Sequence, residues 1–247
     1  MKLALEAGAG ILAHREEGQN FRLKNDSSPV TEADIWADQF IYNGIRRLDE
    51  NAIILSEEGT EVDSSETFWL VDGLDGTKEF IRGSDEFTVN IALIENKAPI
   101  LGIVYAPALG VAYMGGKSLP SVKIINGKAE AIMARELADP VSIVTSRSHV
   151  NQETRDFCGQ FAGAKLFPSG SSLKFCLVAE GIADLYPRMG RTMEWDTAAG
   201  HAVLKAAGGH VFESKTHREL TYAKAGKDNP NFIAVGDRRA LDNVHRF

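Results

Sequence analysis

The sequence predicts a mixed α/β protein in which an antiparallel sheet with helices comes first and an alternating strand–helix region follows. Three observations support this. Residues 87–94, 99–105 and 111–114 are apolar, β-branched runs separated by turns as short as Glu95-Asn96-Lys97, the spacing of an antiparallel meander. Beyond Pro140 the rhythm changes to strand 141–145, helix 151–162, strand 164–167 and helix 172–180. No low-complexity linker or fixed-period repeat divides the two regions, so they are expected as packed lobes, 1–139 and 140–247, of one unit.

The remaining elements follow in order. The N-terminal stretch reads as a helix, because Glu6, Gly8 and Gly10 interrupt the apolar run a signal peptide needs. From Pro29, the positions Ala33, Ala37, Phe40, Ile41, Gly44, Ile45 and Leu48 recur at helical spacing and predict one buried face. Residues 52–55 and 68–71 are short apolar runs followed at once by acids, so each is expected to be a buried strand that delivers carboxylates at its end. Asn126-Gly127 centres a predicted hairpin over 121–129. Gly181 should stop the helix that starts at Ser172, a strand should cover 183–186, and Gly208-Gly209 should stop a helix over 197–207.

Composition narrows the function. The chain has 247 residues, is 44% hydrophobic, and carries a net charge of −7. Polymeric nucleic acid and acidic membrane surfaces need basic protein surface, so both are disfavoured as partners. Cys158 and Cys176 are too few for a disulfide framework and lack C-x-x-C spacing. No window approaches a membrane-spanning length, and a cytoplasmic location is expected.

Chemistry concentrates in acids. In Trp69-Leu70-Val71-Asp72-Gly73-Leu74-Asp75-Gly76-Thr77 a buried strand ends in two carboxylates three residues apart. The glycines between and after them permit a tight turn that aims both acids and the Leu74 carbonyl at one point, a hard-oxygen site suited to Mg²⁺. Taken alone, such a motif also reads as an acidic surface turn. Glu57 and Glu58 again place acid at a strand's end. Asp196, before an alanine-rich run, reads as a helix N-cap or as a residue facing a cation. Two carboxylates at ~4 Å repel by roughly 4 kcal/mol at an effective dielectric near 20, so convergent acids would call for divalent cations. Such cations would also polarise a phosphate and acidify a water. Thr31-Glu32-Ala33-Asp34 fits a capping box, and Asp34 alternatively accepts a hydrogen bond from Thr77, whose hydroxyl would orient the attacking water. Gly115-Gly116-Lys117-Ser118 is no P-loop, because five residues separate Gly110 from Gly116 and Pro120 follows.

Four ordered blocks, Pro29-Val30-Thr31-Glu32-Ala33-Asp34, Ser56-Glu57-Glu58-Gly59, Val71 to Thr77, and Trp195-Asp196-Thr197-Ala198-Ala199-Gly200, resemble the signature of the inositol monophosphatase superfamily. The resemblance implies a layered α-β-α-β-α sandwich. It also implies Mg²⁺, as two or three ions, held by Glu57, Asp72, Asp75, Asp196 and the Leu74 carbonyl, with Li⁺ inhibitory. Asp34 and Thr77 would act on the water, with Glu57 and Asp72 in the same catalytic set. The transferred phosphate would meet Glu57, Leu74, Asp75, Gly76, Thr77 and Asp196.

Lys78-Glu79-Phe80-Ile81, Ser146-Arg147-Ser148-His149 and Gly170-Ser171-Ser172-Leu173-Lys174 look like the bacterial 3′(2′),5′-bisphosphate nucleotidases. That likeness implies hydrolysis of 3′-phosphoadenosine 5′-phosphate to AMP in sulfur assimilation, with His149, Ser171, Lys174 and Arg188 at the nucleotide. Peripheral attachment at the inner membrane is raised by the resemblance alone. Lys174 also reads as a surface lysine snorkelling from its helix. Two departures stand out: Gly73 replaces a more usual proline and should loosen the turn, and Glu194 places an extra negative charge beside the site. Rival functions are an inositol or sugar-phosphate phosphatase and a non-catalytic nucleotide or metal sensor, and a monomer is favoured.

Overall fold

Two long helices, α1 (Lys2–Glu17) and α2 (Glu32–Leu48), form the first layer. Their small and branched residues Ala4, Ala7, Ile11, Ala33, Ala37, Ile41 and Ile45 are buried at helical spacing. This is a computed structural model, and it describes residues 1–18, 20–24, 28–59, 65–148, 150–242 and 244. Between the helices, β1 (Phe21–Leu23) and β2 (Pro29–Thr31) pair antiparallel, a ribbon too short and too polar to register in the sequence.

The second layer is a seven-stranded sheet: β3 (Ile54–Ser56), β4 (Thr67–Asp75), β5 (Thr88–Glu95), β6 (Ala98–Ala106), β7 (Val111–Gly116), β8 (Leu119–Ile125) and β9 (Lys128–Ala131), in that spatial order. Only β3 and β4 run parallel, and the meander predicted from 87–114 is present in full. Asn126 and Gly127 both have positive φ, 51° and 74°, the backbone that two-residue hairpins favour. The sheet's outer face buries Val71, Val89 and Ile91 against α1 and α2.

The short helices are α3 (Thr77–Ile81), α4 (Gln152–Cys158), α5 (Leu173–Ala179) and, longer, α6 (Glu194–Ala206). A second sheet contains β10 (Ser142–Ser146), β11 (Lys165–Ser169), β12 (Leu185–Arg188), β13 (His210–Glu213) and β14 (Phe232–Val235), in the order β11-β10-β12-β14-β13. Parallel pairing joins β10 to β11 and β12, while β14 is antiparallel to both its neighbours. Sequence periodicity did not reveal β13 or β14, which make this sheet mixed.

Helices α5 and α6 lie between the sheets, where Phe175, Cys176, Ala198, Ala199 and Val203 join Ala92 and Val104 of the first sheet and Val144 and Tyr186 of the second in one core. On the far side, Phe157 and Cys158 of α4 pack with Ile143, Leu185 and Ile233. The layer order is therefore α-β-α-β-α, as the resemblance implied. Helix α4 is shorter than the predicted 151–162. Asn151 caps its start by accepting from the Thr154 amide at 2.9 Å, and turns replace the helix after Cys158.

Candidate active site

The acids reach one place by three different local devices. Strand β4 does not end in a turn but continues through Asp75, with a register shift in which Asp72 pairs with Asn90 and Asp75 with Thr88. In a regular strand, residues three apart point to opposite faces. The extra residue of the bulge restores both carboxylates to one side, and both line a cleft of about 460 Å³. The expected tight turn is thus a bulged strand followed by Gly76 at φ 93°, a conformation that favours glycine. Gly73 lies inside β4 and not in a turn. A Cβ there would sit 2.7 Å from the Asp38 amide nitrogen, so the glycine lets α2 approach β4 closely.

Glu57 follows β3, its amide donating to the Val71 carbonyl at 3.2 Å. Asp196 is the third residue of α6 and not its N-cap, because the cap position belongs to Met193, whose amide donates to Asp196 Oδ2 at 2.8 Å. The ligand atoms of Glu57, Asp72 and Asp196 lie within 4.8 Å of one another, and Asp75 lines the same cleft. Asp72 Oδ2 is buried without a hydrogen-bond partner among the described residues. An orphaned carboxylate oxygen beside two other carboxylates fits a divalent cation bound by hard oxygen ligands. Leu74 donates its amide to Asp72 Oδ1 at 3.1 Å and buries its side chain beneath α2.

The two readings of Asp34 hold together. Its Oδ2 accepts from the Thr31 amide at 2.7 Å and its own amide donates to the Thr31 hydroxyl oxygen at 3.4 Å, completing the capping box; Oδ2 also accepts from the Thr31 hydroxyl, while Oδ1 accepts from the Thr77 hydroxyl at 2.7 Å. Gly76 and Thr77 line the cleft at the start of α3.

Lys174 also lines the cleft and is only 5% exposed, so it is no snorkelling surface lysine. Its ammonium donates to the carbonyls of Ser171 and, at 3.4 Å, Ser169, and lies 5.2 Å from the Tyr186 ring centroid. Arg188 donates through Nη2 to the Arg191 carbonyl at 3.0 Å, and its buried Nε has no partner among the described residues. The Ser171 hydroxyl donates to Asp75 Oδ2 at 2.5 Å. His149 lies outside the described residues.

Lys78 and Glu79, part of the nucleotidase likeness without an assigned role, line the cleft. Three residues of the site escaped sequence reading: Lys24, which donates to Glu57 at 2.7 Å and Glu58 at 2.5 Å, and Arg191 and Thr192, which line the cleft. Lys24 lies outside any periodic segment and carried no signal. Glu194, expected as extra charge beside the site, turns away. It is fully buried, accepts from the amides of Ala223 at 3.1 Å and Lys224 at 2.9 Å, and pairs with the Lys224 ammonium at 2.8 Å.

The electrostatics follow from burial. Desolvation pushes the Asp72 carboxyl well above the ordinary carboxylate range, and Glu57, Asp75 and Asp196 push it the same way. Asp196 is raised by burial and then by Asp75. Burial brings Glu57 up to about 7, with Lys24 pulling against it. Asp34 is raised by burial, against the hydrogen bonds from Thr31 and Thr77. Lys174 is brought down to about 8 by burial, against the pull of Asp75.

The chain belongs to the inositol monophosphatase family, whose model matches residues 1–241. The chain is 50% identical over 218 residues to the 3′(2′),5′-bisphosphate nucleotidase CysQ of Escherichia coli O157:H7, covering 86% of this chain and 88% of that one. Its fold superposes on the crystal structure of CysQ from Bacteroides thetaiotaomicron with a TM-score of 0.81 at 37% identity, covering 96% and 95% of the two chains. The Thermotoga maritima IMPase superposes with a TM-score of 0.80 at 27% identity over 98% and 92%.

Proposed function

We propose that this protein is a metal-dependent phosphomonoesterase that removes the 3′-phosphate from 3′-phosphoadenosine 5′-phosphate, giving AMP and phosphate and serving sulfur assimilation. The observation that carries the reading is the meeting of Glu57, Asp72 and Asp196, from three separate sequence blocks, with ligand atoms within 4.8 Å of one another. The substrate follows from the 50% identity to a bisphosphate nucleotidase over most of both chains.

Mg²⁺ is the proposed cofactor, as two or three ions held by Glu57, Asp72, Asp75, Asp196 and the Leu74 carbonyl, with Li⁺ expected to inhibit. When bound, the cation neutralises the carboxylates, polarises the phosphate and lowers the pKa of water. The chain's own residues supply the rest. Because Thr77 donates its only hydroxyl proton to Asp34, its oxygen lone pairs remain to accept from a water in the cleft and orient it. Asp34, with its pKa raised by burial, is suited to hold a proton drawn from that water through Thr77. Lys174 and Arg188 offer cationic donors to the nucleotide's second phosphate, and Ser171 and His149 are further nucleotide contacts implied by the likeness to the bisphosphate nucleotidases. A bond from the water oxygen to phosphorus replaces the bond to the 3′-oxygen, which takes up a proton from solvent to become the ribose hydroxyl, while the proton held at Asp34 returns to solvent.

No helix among the described residues is long and apolar enough to cross a membrane. We take the enzyme to be a cytoplasmic monomer whose first lobe, 1–139, supplies most of the metal ligands and whose second, 140–247, supplies Asp196 and the nucleotide-binding side.

Phosphate release with Mg²⁺ should be measured for 3′-phosphoadenosine 5′-phosphate, inositol 1-phosphate and fructose 1,6-bisphosphate, with and without Li⁺. The bisphosphate nucleotide should give the highest kcat/KM. Preference for either sugar phosphate refutes the substrate assignment, and nucleotide binding without release replaces the enzyme with a sensor.

A further inference from the structure

Ser172 opens the central helix α5 and is 2% exposed. Its hydroxyl oxygen lies 2.8 Å from Asp75 Oδ2, 2.7 Å from the Asp196 carbonyl oxygen and 2.9 Å from the Asn90 amide nitrogen. It therefore joins β4, β5 and α6 at one buried atom. A hydroxyl has one proton to give and two lone pairs to offer. The Asn90 amide fills a lone pair, and the single proton faces two acceptors. A carboxylate oxygen is the stronger acceptor, but the Asp196 carbonyl lies as near, so the two share the one proton in a three-centre bond.

Asp75 is correspondingly asymmetric. Its Oδ2 receives both Ser171 at 2.5 Å and Ser172 at 2.8 Å, with Thr88 and Asn90 farther off at 3.5 and 3.4 Å. These four contacts all fall on Oδ2, and Asp75 lines the cleft. The protein thus holds Asp75 through one oxygen, which leaves Oδ1 as the oxygen to offer a cation.

We infer that Ser172 is a positioning residue: by fixing Asp75 Oδ2 and bridging it to the Asp196 backbone, it sets the spacing of two carboxylates that arrive from different layers of the fold. The inference rests on the proposed metal site but not on the identity of the substrate. Outer groups that orient a metal ligand typically contribute about 10–100-fold to metal affinity.

The test is Mn²⁺ binding to the full chain, followed by electron paramagnetic resonance of free Mn²⁺, for the unaltered protein, Ser172→Ala, Asp75→Asn and the double variant. Ser172→Ala should weaken Mn²⁺ roughly 10-fold. In the Asp75→Asn background the same change should cost almost nothing, because its target is gone. Nucleotide KM at saturating metal should stay unchanged. If Ser172→Ala does not fold, Ser172→Cys, similar in volume and a much weaker donor, takes its place. Affinity within about 2-fold of the unaltered protein, or an equal loss in both backgrounds, overturns the positioning role. Absence of Mn²⁺ binding by the unaltered protein instead overturns the metal site on which the inference stands.

Discussion

Replacing Asp72 by asparagine should stabilise the metal-free protein while disabling it. The ligand atoms of Asp72, Glu57 and Asp196 lie within 4.8 Å of one another. At that separation and an effective dielectric of 20, each ionised pair repels by at least ~3.5 kcal/mol. Protonation limits the penalty, since holding a carboxyl neutral at pH 7 against an ordinary pKa near 3.9 costs about 4 kcal/mol. The neutral amide removes that cost and keeps an oxygen for the Leu74 amide. A gain of about 1–4 kcal/mol is therefore expected in EDTA at pH 7, a rise in Tm of roughly 3–12 °C.

The pH dependence has a definite sign. Burial raises the folded pKa of Asp72, Asp196 and Glu57, the last to about 7. A carboxyl with a raised folded pKa contributes stability that is present below its unfolded value and is lost as pH rises through the folded value. The advantage of Asp72→Asn should thus shrink between pH 7 and pH 4, where the unaltered protein regains its own stability. With saturating Mg²⁺ the order of Tm values should reverse, because the unaltered protein alone gains the full binding energy. Phosphate release should fall at least ~10²-fold. Calorimetry in EDTA and in Mg²⁺, with a phosphate-release assay, checks all of this. A lower Tm for Asp72→Asn in EDTA, or near-normal turnover in Mg²⁺, refutes the reasoning.

Lys174 is brought down to about 8 by burial, so its charge disappears as pH rises through that value. A charge-assisted hydrogen bond contributes about 1.5–3 kcal/mol, so nucleotide KM should climb by roughly 10–100-fold above pH 8, and Lys174→Met should show a high KM that is flat with pH. A KM profile from pH 6.5 to 9.5 decides this, and an unchanged KM for Lys174→Met removes the residue from the substrate site. Glu194→Gln leaves the Lys224 ammonium without its partner and should lower stability by about 1–3 kcal/mol. Urea unfolding measures it, and a loss below about 0.5 kcal/mol means the buried carboxylate is not holding the 223–224 segment.

Local pattern determined a great deal here. The meander, the α5 and α6 segments, the capped start of α2 and the acids at strand ends were legible because helix and strand periods, turn residues and caps act within a few positions of one another. The ribbon β1–β2 and strands β13 and β14 were not, since three- and four-residue strands are stabilised by their neighbours more than by their own composition. The same boundary runs through the site. Glu57, Asp72, Asp75 and Asp196 could be singled out by their settings, but their meeting depended on a bulge in β4 and on α6 lying between two sheets. Lys174 read equally well as a surface residue until α5 was seen to be interior, and Glu194 read as site charge until its carboxylate was found capping the 223–224 amides. Residue types and their order thus come from the chain alone. Which charges face one another, and which are hidden from water, is decided only by packing, because Coulomb energy and desolvation depend on distances between atoms far apart in sequence.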